Sequence, residues 1–228
     1  MSIKVEEAVP WGRTFEEYVA MFHLTAIDLN KSILGCGDGP ASFNATSHQR
    51  NLSVISADPI YAFTAQQISV RIDEVAPDII AQLRRDEHEL VWEYFASLDD
   101  LIGTRHHAMT TFLEDFADKS NSSRYVTASL PTLPFSDSQF DLALCSHFLF
   151  LYGKIYSQQF HLDSILEMCR VANEVRIFPL VELEQPRSRH LSSICETLEQ
   201  LGHSVERVRV NYELIRGGNE MLKIKSGQ

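Results

Sequence analysis

The residues of this chain with the clearest chemical potential form a run of alternating glycines, Gly35-Cys36-Gly37-Asp38-Gly39. The run follows a short apolar segment and precedes a stretch that reads as a helix. Glycine adopts positive φ at no steric cost and lets a ligand approach the backbone closely. Ligands of parallel α/β sheets bind at the carboxyl ends of the strands, where this run would lie. The run predicts a ligand-binding turn, with a tight turn that binds nothing as the alternative.

Asp58, followed by Pro59, stands at the end of the next apolar segment. A carboxylate in that position can accept hydrogen bonds from both hydroxyls of a ribose, and it would repel a 2′-phosphate. The glycine spacing is GxGxG, and Pro40 takes the place where the longer dinucleotide motif has its last glycine. That spacing disfavours a nicotinamide-dependent enzyme. Capping of a turn beside Pro59 is the alternative role of Asp58.

Ser146, His147 and Tyr152 follow a further apolar segment and should reach the same edge of the sheet. His147 is the candidate general base, a group required only where the nucleophile is weakly acidic. Packing of His147 between Ser146 and Phe148 is an equal alternative. Tyr152 either shapes the pocket or is a core aromatic residue.

Alternating strands and helices must position these groups. The predicted strands cover residues 32–34, 52–56, 125–127, 140–145, 175–181, 205–214 and 221–224. Thr14 and Glu17 have the spacing of a capping box that opens the first helix. Later helices are predicted from residue 41 onward and over 157–171 and 188–201, the last ended by Gly202 in a left-handed conformation. Residues 216–219, Arg-Gly-Gly-Asn, predict a hairpin between the last two strands.

The segment 62–118 interrupts this alternation, because it has helical periodicity and no strand signal. We predict that Pro77 splits its first helical stretch in two. Another helix is expected around 91–98 and a further one over 101–116. This helical insertion is predicted to cover the pocket and to select the substrate, with dimerisation or extension of the core as alternatives.

The composition excludes some functions. The chain has 228 residues and a net charge of −11, from 20 basic and 31 acidic side chains, which disfavours a nucleic-acid partner. No apolar run reaches the ~18 residues of a membrane span, and the N-terminus has no apolar signal core. The four cysteines have no metal-ligand spacing, so no metal is expected. A cytoplasmic protein without a membrane or nucleic-acid partner is the expectation.

Together, four stretches resemble class I S-adenosylmethionine (SAM)-dependent methyltransferases. Residues 33–39, Ile-Leu-Gly-Cys-Gly-Asp-Gly, resemble the first, glycine-rich motif, and Ser56-Ala57-Asp58 resembles the acidic end of the second strand. Residues 133–146 resemble the stretch that leads into the fourth strand, and 220–224 the closing strand. The likeness spans about residues 10–225 apart from the insertion. It is greatest to uncharacterised bacterial members, which share the Trp-Gly-Arg start at Trp11.

The resemblance implies an α/β, Rossmann-like, mainly parallel seven-stranded sheet with helices on both faces and a C-terminal antiparallel hairpin. It also implies one methyltransferase domain over 1–228, with the helical insertion, about 62–118, after the second strand. SAM is the implied cofactor, S-adenosylhomocysteine (SAH) the product, and a small molecule the substrate. The implied cofactor-binding residues are Gly35, Cys36, Gly37, Gly39, Asp58, Pro59, Ser129, Leu130, Ser146 and Arg13. In similar enzymes the N-terminal segment folds over the cofactor, where Arg13 would pair with the cofactor's carboxylate; a solvated surface charge is the alternative role of Arg13.

The chain departs from the family pattern in two places. Ile33 stands where many members have an acid two residues before the first glycine, and Ser129 lies near the place of an acid that bonds the adenine amino group. These departures keep a second hypothesis open, a non-catalytic SAM-binding or scaffold protein. The (Asp/Asn)-Pro-Pro-Tyr signature of adenine- or glutamine-N-methylating relatives is absent, which argues against those substrates.

Overall fold

The strands form one seven-stranded sheet in the order β3-β2-β1-β4-β5-β7-β6. The computed structural model describes residues 10–183 and 187–225. The first five strands along the chain are parallel, while β7 runs antiparallel to both β5 and β6. The strands are β1 (Ile33–Cys36), β2 (Val54–Ala57), β3 (Tyr125–Val126), β4 (Phe140–Ser146), β5 (Ala172–Phe178), β6 (Ser204–Arg209) and β7 (Glu220–Lys225). The predicted Rossmann-like α/β sheet with its C-terminal antiparallel pair is confirmed.

Helices cover both faces of this sheet. They are α1 (Phe15–Met21), α2 (Ala26–Leu29), α3 (Phe43–Gln49), α4 (Ala65–Arg85), α5 (Leu98–Ala117), α6 (Gln158–Val171) and α7 (Leu191–Gln200). The capping box of Thr14 and Glu17 is present at the start of α1, as predicted. Gly202, with φ of 89°, follows α7 in the left-handed conformation that we expected. Among the described residues, no helix combines the length and apolar character that crossing a bilayer requires.

Two buried clusters lie on opposite faces of the sheet, because alternate residues of a strand point to opposite sides. On β4, Ala143 and Cys145 join the cluster that includes residues of α6 and α7. Leu142 and Leu144 join the other cluster, with residues of α1 and of the start of α5. The sheet is therefore buried on both faces, as a parallel sheet requires.

The insertion differs from its prediction in two respects. Helix α4 runs through Pro77 without a break, so the predicted split is wrong. The helix predicted around 91–98 is also absent: Leu90 and Ile215 form an antiparallel bridge, and the Val91 N–H donates to the Leu214 carbonyl at 2.9 Å. Trp92, Tyr94 and Phe95 therefore lie in an irregular segment next to these backbone contacts and not in a helical turn. Helix α5 corresponds to the last predicted helix of the insertion.

Other differences concern the ends of elements. The strand predicted over 175–181 begins and ends earlier, as β5, because Phe178 is followed by Pro179, which lacks the N–H that a strand donates. The strand predicted over 205–214 ends at Arg209 of β6, and a long connection, not a tight hairpin turn, leads from there to β7. Lys119–Arg124, between α5 and β3, form a 3₁₀ helix. The N-terminal stretch 1–9, in which we find no signal core, lies outside the described residues.

Pro77 gives a first test. Proline in a helix interior lacks an N–H and clashes with the preceding turn, at a cost of about 3 kcal/mol. Because Pro77 is exposed in the interior of α4, Pro77→Ala should raise the free energy of unfolding by about 1–3 kcal/mol in urea titrations. Val70→Ala, an exposed change in the same helix, is the control and should gain only a few tenths. A lower free energy of unfolding in Pro77→Ala would contradict the claim that Pro77 destabilises α4.

Candidate functional site

A cavity of about 670 Å³ lies at the carboxyl ends of β1, β2 and β4. The N-terminal segment and the insertion contribute further walls. Of the predicted site residues, those that line the cavity are Arg13, Cys36, Gly37, Gly39, Asp58, Pro59, Ser129, Leu130, Ser146 and His147. Gly35 does not line it, and Tyr152 does. These residues come from five separate parts of the chain, and the fold places them around one cavity.

The glycine turn has the conformation that its sequence predicts. Gly37 and Gly39 have φ of 68° and 55°, a region in which side chains are strained. A Cβ at Gly37 would also lie 3.2 Å from the ring of Phe148. Gly35 has a different task, since a Cβ there would collide with the carboxylate of Asp38. The first glycine thus makes room for a buried acid, and the other two shape the turn.

Asp58 has the capping role considered for it, and it also lines the cavity. Its carboxylate accepts the backbone N–H of Gly39 and that of Ile60, both at 2.8 Å, and it caps the 3₁₀ helix Pro59–Ala62. Burial raises the pKa of Asp58, although these two hydrogen bonds oppose the rise. The carboxylate still lines the cavity, and each of its oxygens has a second lone pair for a ligand.

Asp38 is a buried acid that the sequence analysis did not single out. It accepts a hydrogen bond from the Tyr18 hydroxyl at 2.8 Å and one from the Ser56 hydroxyl at 2.6 Å. Burial raises the pKa of Asp38 to about 6, against the effect of these two donors. Asp38 thereby ties α1 to the glycine turn and to β2. Its position inside the glycine run was the only available signal.

His147 directly follows β4 and has a positive φ of 52°. The backbone N–H of His147 donates to the Phe178 carbonyl at 2.7 Å. The Nδ1 of its ring lies 2.9 Å from the Ser146 hydroxyl oxygen. Burial lowers the pKa of His147 well below its ordinary value, and the charges of Arg13 and Arg105 lower it further. The imidazole is therefore neutral at pH 7, which a proton acceptor requires.

Three arginines, Arg13, Arg71 and Arg105, line the same cavity. The Nη1 of Arg105 donates to Glu17 at 2.5 Å, and that of Arg13 donates to the Trp11 carbonyl at 2.5 Å. The Nε atoms of Arg13 and Arg105 are buried and have no hydrogen-bond partner among the described residues. Within that part of the chain Arg13 has no ion pair, and burial, followed by the charge of Arg105, lowers its pKa. The cavity wall thus includes guanidinium groups that are suited to an anion.

Arg105 was not singled out from the sequence, although a signal for it existed. It falls on the apolar face of α5, in step with the buried residues Leu98, Leu101, Ala108 and Phe112. A charge at a core position of a helix is rare unless it is paired. Ser129, by contrast, was singled out; it is exposed, and its carbonyl accepts the Thr132 N–H at 3.1 Å while Leu130 packs into the core.

Comparison with known proteins gives a family but no activity. No family model matches the chain. Over 224 residues, 98% of either chain, it is 32% identical to the uncharacterized protein MJ0045 of Methanocaldococcus jannaschii. The chain belongs to the family of that protein. Because this relative is archaeal, the expected kinship with a bacterial subgroup stays a prediction.

Solved structures with a similar arrangement include a magnesium protoporphyrin IX methyltransferase from Synechocystis PCC 6803 with bound SAM (TM-score 0.47, 13% identity, 93% of this chain and 78% of that one). A second is the 1,6-didemethyltoxoflavin-N1-methyltransferase of Burkholderia thailandensis with its substrate and SAH (0.48, 12%, 94% and 78%). A third is a SAM-dependent methyltransferase from Aquifex aeolicus (0.42, 13%, 91% and 90%). Because these TM-scores are below 0.5, we assign the fold from the strand order of this chain. Any activity has to be argued from the site itself.

The raised pKa of Asp38 should affect how the stability of the protein depends on pH. A carboxyl whose pKa rises from 3.8 to about 6 on folding binds more protons in the folded state between these values, so it lowers stability as pH rises through them. Asp38→Asn should therefore gain stability relative to the wild type between about pH 4 and 6, by about 2–3 kcal/mol at pH 7. Melting temperatures measured from pH 4 to 7.5 test this.

Asp118→Asn is the matched control, because Asp118 is exposed and its pKa is lowered by hydrogen bonds to Ser120. The difference in melting temperature between Asp118→Asn and the wild type should stay constant between about pH 4 and 6. An unchanged difference between Asp38→Asn and the wild type across pH 4–6 would contradict the raised pKa of Asp38.

Proposed function

We propose that this protein is a SAM-dependent methyltransferase that acts on a small molecule. The observation that carries the proposal is the convergence of the glycine turn, Asp58 and Arg13 on one cavity at the carboxyl ends of the central strands. A strand edge in this position is where doubly wound sheets bind nucleotide-like ligands. The residues fit SAM, because Asp58 suits the ribose and Arg13 suits the amino-acid carboxylate.

Individual residues are assigned to parts of SAM as follows. Asp58 binds the ribose hydroxyls through the free lone pairs of its carboxylate. Ser129 and Leu130 lie beside the adenine, with backbone groups in place of the acid that other families use. Arg13 pairs with the carboxylate of the methionine part, which satisfies its buried Nε. Bound SAM supplies a methyl group already activated by its sulfonium.

The protein's own contribution is positioning and, for a weakly acidic nucleophile, removal of a proton. His147 is the proposed base, because it lines the cavity, is neutral, and is held by backbone and side-chain contacts on both sides. Donation of its Nδ1–H to the Ser146 oxygen would leave Nε2 as the proton acceptor. Ser146 therefore sets the tautomer on which this role depends.

A small substrate is supported by the walls of the cavity. The insertion contributes Arg71, Ile79, Gln82, Leu83, Leu90, Leu101 and Arg105 to the lining. A site covered by an inserted segment suits a molecule that fits inside it. The net charge of −11 offers no general attraction for a polyanion such as RNA.

Binding of the cofactor is the first test. Calorimetry should give a Kd for SAH of roughly 1–100 µM, the range common for such ligands. Asp58→Asn should weaken SAH binding at least tenfold, because the amide replaces one of the acceptor oxygens that the ribose would use. Absence of SAM and SAH binding at millimolar ligand would refute the proposal.

Asp118→Asn separates ligand binding from capping. Asp118 also caps a 3₁₀ helix through a hydrogen bond to the second residue after it, but it is exposed and does not line the cavity. If Asp58 serves only as a cap, both variants should lose similar stability and neither should lose SAH affinity. A selective loss in Asp58→Asn supports the ribose role.

Turnover distinguishes an enzyme from a non-catalytic SAM-binding protein. The wild type should convert SAM to SAH when fractions of a small-molecule cell extract are added. His147→Asn should lower that turnover 10²- to 10⁴-fold, the usual range for a general base, and leave SAH affinity within about threefold. Asparagine is chosen because it tolerates the left-handed backbone of residue 147. SAH binding without turnover in any fraction would instead favour the scaffold hypothesis.

A further inference from the structure

One wall of the cavity has a composition that the cofactor does not explain. Leu83, Leu90 and Leu101 of the insertion contribute to it, together with Leu214 and Ile215 of the connection between β6 and β7. The bridge between Leu90 and Ile215 joins the two segments. Arg105, whose side chain is fully buried, also belongs to the lining of the cavity.

Arg105 offers hydrogen-bond donors that the protein does not use. Glu17 takes one N–H of Nη1 at 2.5 Å, and the Tyr212 hydroxyl lies 3.4 Å from Nη2. The guanidinium has five N–H donors, and that of Nε is buried without a partner among the described residues. An unused donor of a charged group costs free energy when it is buried. The same is true of the Nε of Arg13, so two residues that line the cavity each have a buried donor without a partner in the described part of the chain.

SAM can supply an anionic group to only one of the two arginines, Arg13 and Arg105. It has a single carboxylate, which the proposed function assigns to Arg13. Its sulfonium and ammonium make the whole cofactor a net cation, so its binding adds positive charge beside the arginines. The acidic residues that line the cavity, Asp38 and Asp58, belong to the glycine turn and to the end of β2, where they already accept protein donors.

We propose that the methyl acceptor is a small organic acid with an apolar body, whose carboxylate binds Arg105 while its body packs against the leucine wall. This inference rests on the proposed function. A monoanion is favoured over a phosphate dianion, because Glu17 and the two arginines together carry one net positive charge. Tyr212 and His147, which face this cluster, are neutral at pH 7, since burial raises the pKa of Tyr212 and lowers that of His147.

The wild-type protein tests this directly. The protein is saturated with SAH, and binding of 4-phenylbutyrate, 3-(4-hydroxyphenyl)propionate and decanoate is compared with that of their primary amides, by calorimetry and thermal shift. Each amide keeps the shape and loses the charge. At least one acid should bind tenfold or more tightly than its amide. If no acid exceeds its amide, the inference is overturned, whereas a protein that does not bind SAH refutes the proposed function itself.

Two arginine variants locate the contact. Arg105→Lys keeps a charge for Glu17 but lacks the planar group, so it should weaken the acid at least tenfold and SAH by no more than about threefold. Arg84→Lys, an exposed change at the end of α4, is the matched control and should alter neither. Equal losses of acid and SAH affinity in Arg105→Lys would show that both arginines bind the SAM carboxylate, which overturns the inference. If Arg105→Lys does not fold, the comparison of acids and amides in the wild type decides.

Discussion

The interaction on which the site depends is a buried carboxylate that joins three distant parts of the chain. Glu17 of α1 accepts hydrogen bonds from its own capping partner Thr14, from Arg105 of the insertion at 2.5 Å, and from Tyr212 before β7 at 2.8 Å. Burial raises the pKa of Glu17, but the charge and hydrogen bond of Arg105 outweigh it, so the pKa is lowered overall. A buried ion pair is tolerated only where further hydrogen bonds satisfy its remaining atoms. Here those bonds hold the N-terminal helix, the insertion and the C-terminal connection around one cavity.

This arrangement explains which features could be predicted from the sequence. The sheet was predictable because its central strands are short apolar runs, and the ligand edge because glycines and acids come directly after such runs. The capping box at Thr14 and the left-handed Gly202 are local signals, and local signals were correct. Long-range consequences were not predictable in the same way. Nothing near Glu17 in sequence indicates that its partner lies 88 residues further on.

The wrong predictions have the same physical origin. Pro77 normally ends or kinks a helix, yet α4 continues through it because buried residues before and after it, Ile72 and Leu83, pack on the rest of the insertion and the core. Residues 91–98 have helical spacing of apolar groups, but the backbone of residue 91 pairs with Leu214 instead. In both cases tertiary packing outweighs a local preference of a few kcal/mol. The contact of residue 91 with Leu214 joins segments more than a hundred residues apart in sequence, which no local pattern reports.

The cavity is electrically polar along its length, and that polarity follows from the fold. The acids Asp38 and Asp58 are fixed to the glycine turn by backbone and hydroxyl donors, whereas the arginines reach the cavity from the N-terminal segment and from α5. Asp38 and Asp58, at the carboxyl edge of the sheet, therefore suit a net cation such as SAM. The arginines of the segments added around that edge supply the opposite charge. Strand edges of this kind bind many ligands, so in the proposed methyltransferase the segments added around the edge would decide which acceptor binds. Burial lowers the pKa of His147, and the charges of Arg13 and Arg105 lower it further. An acceptor carboxylate bound at Arg105 would offset the contribution of that one arginine, while the larger effect of burial would keep the imidazole neutral and able to accept a proton.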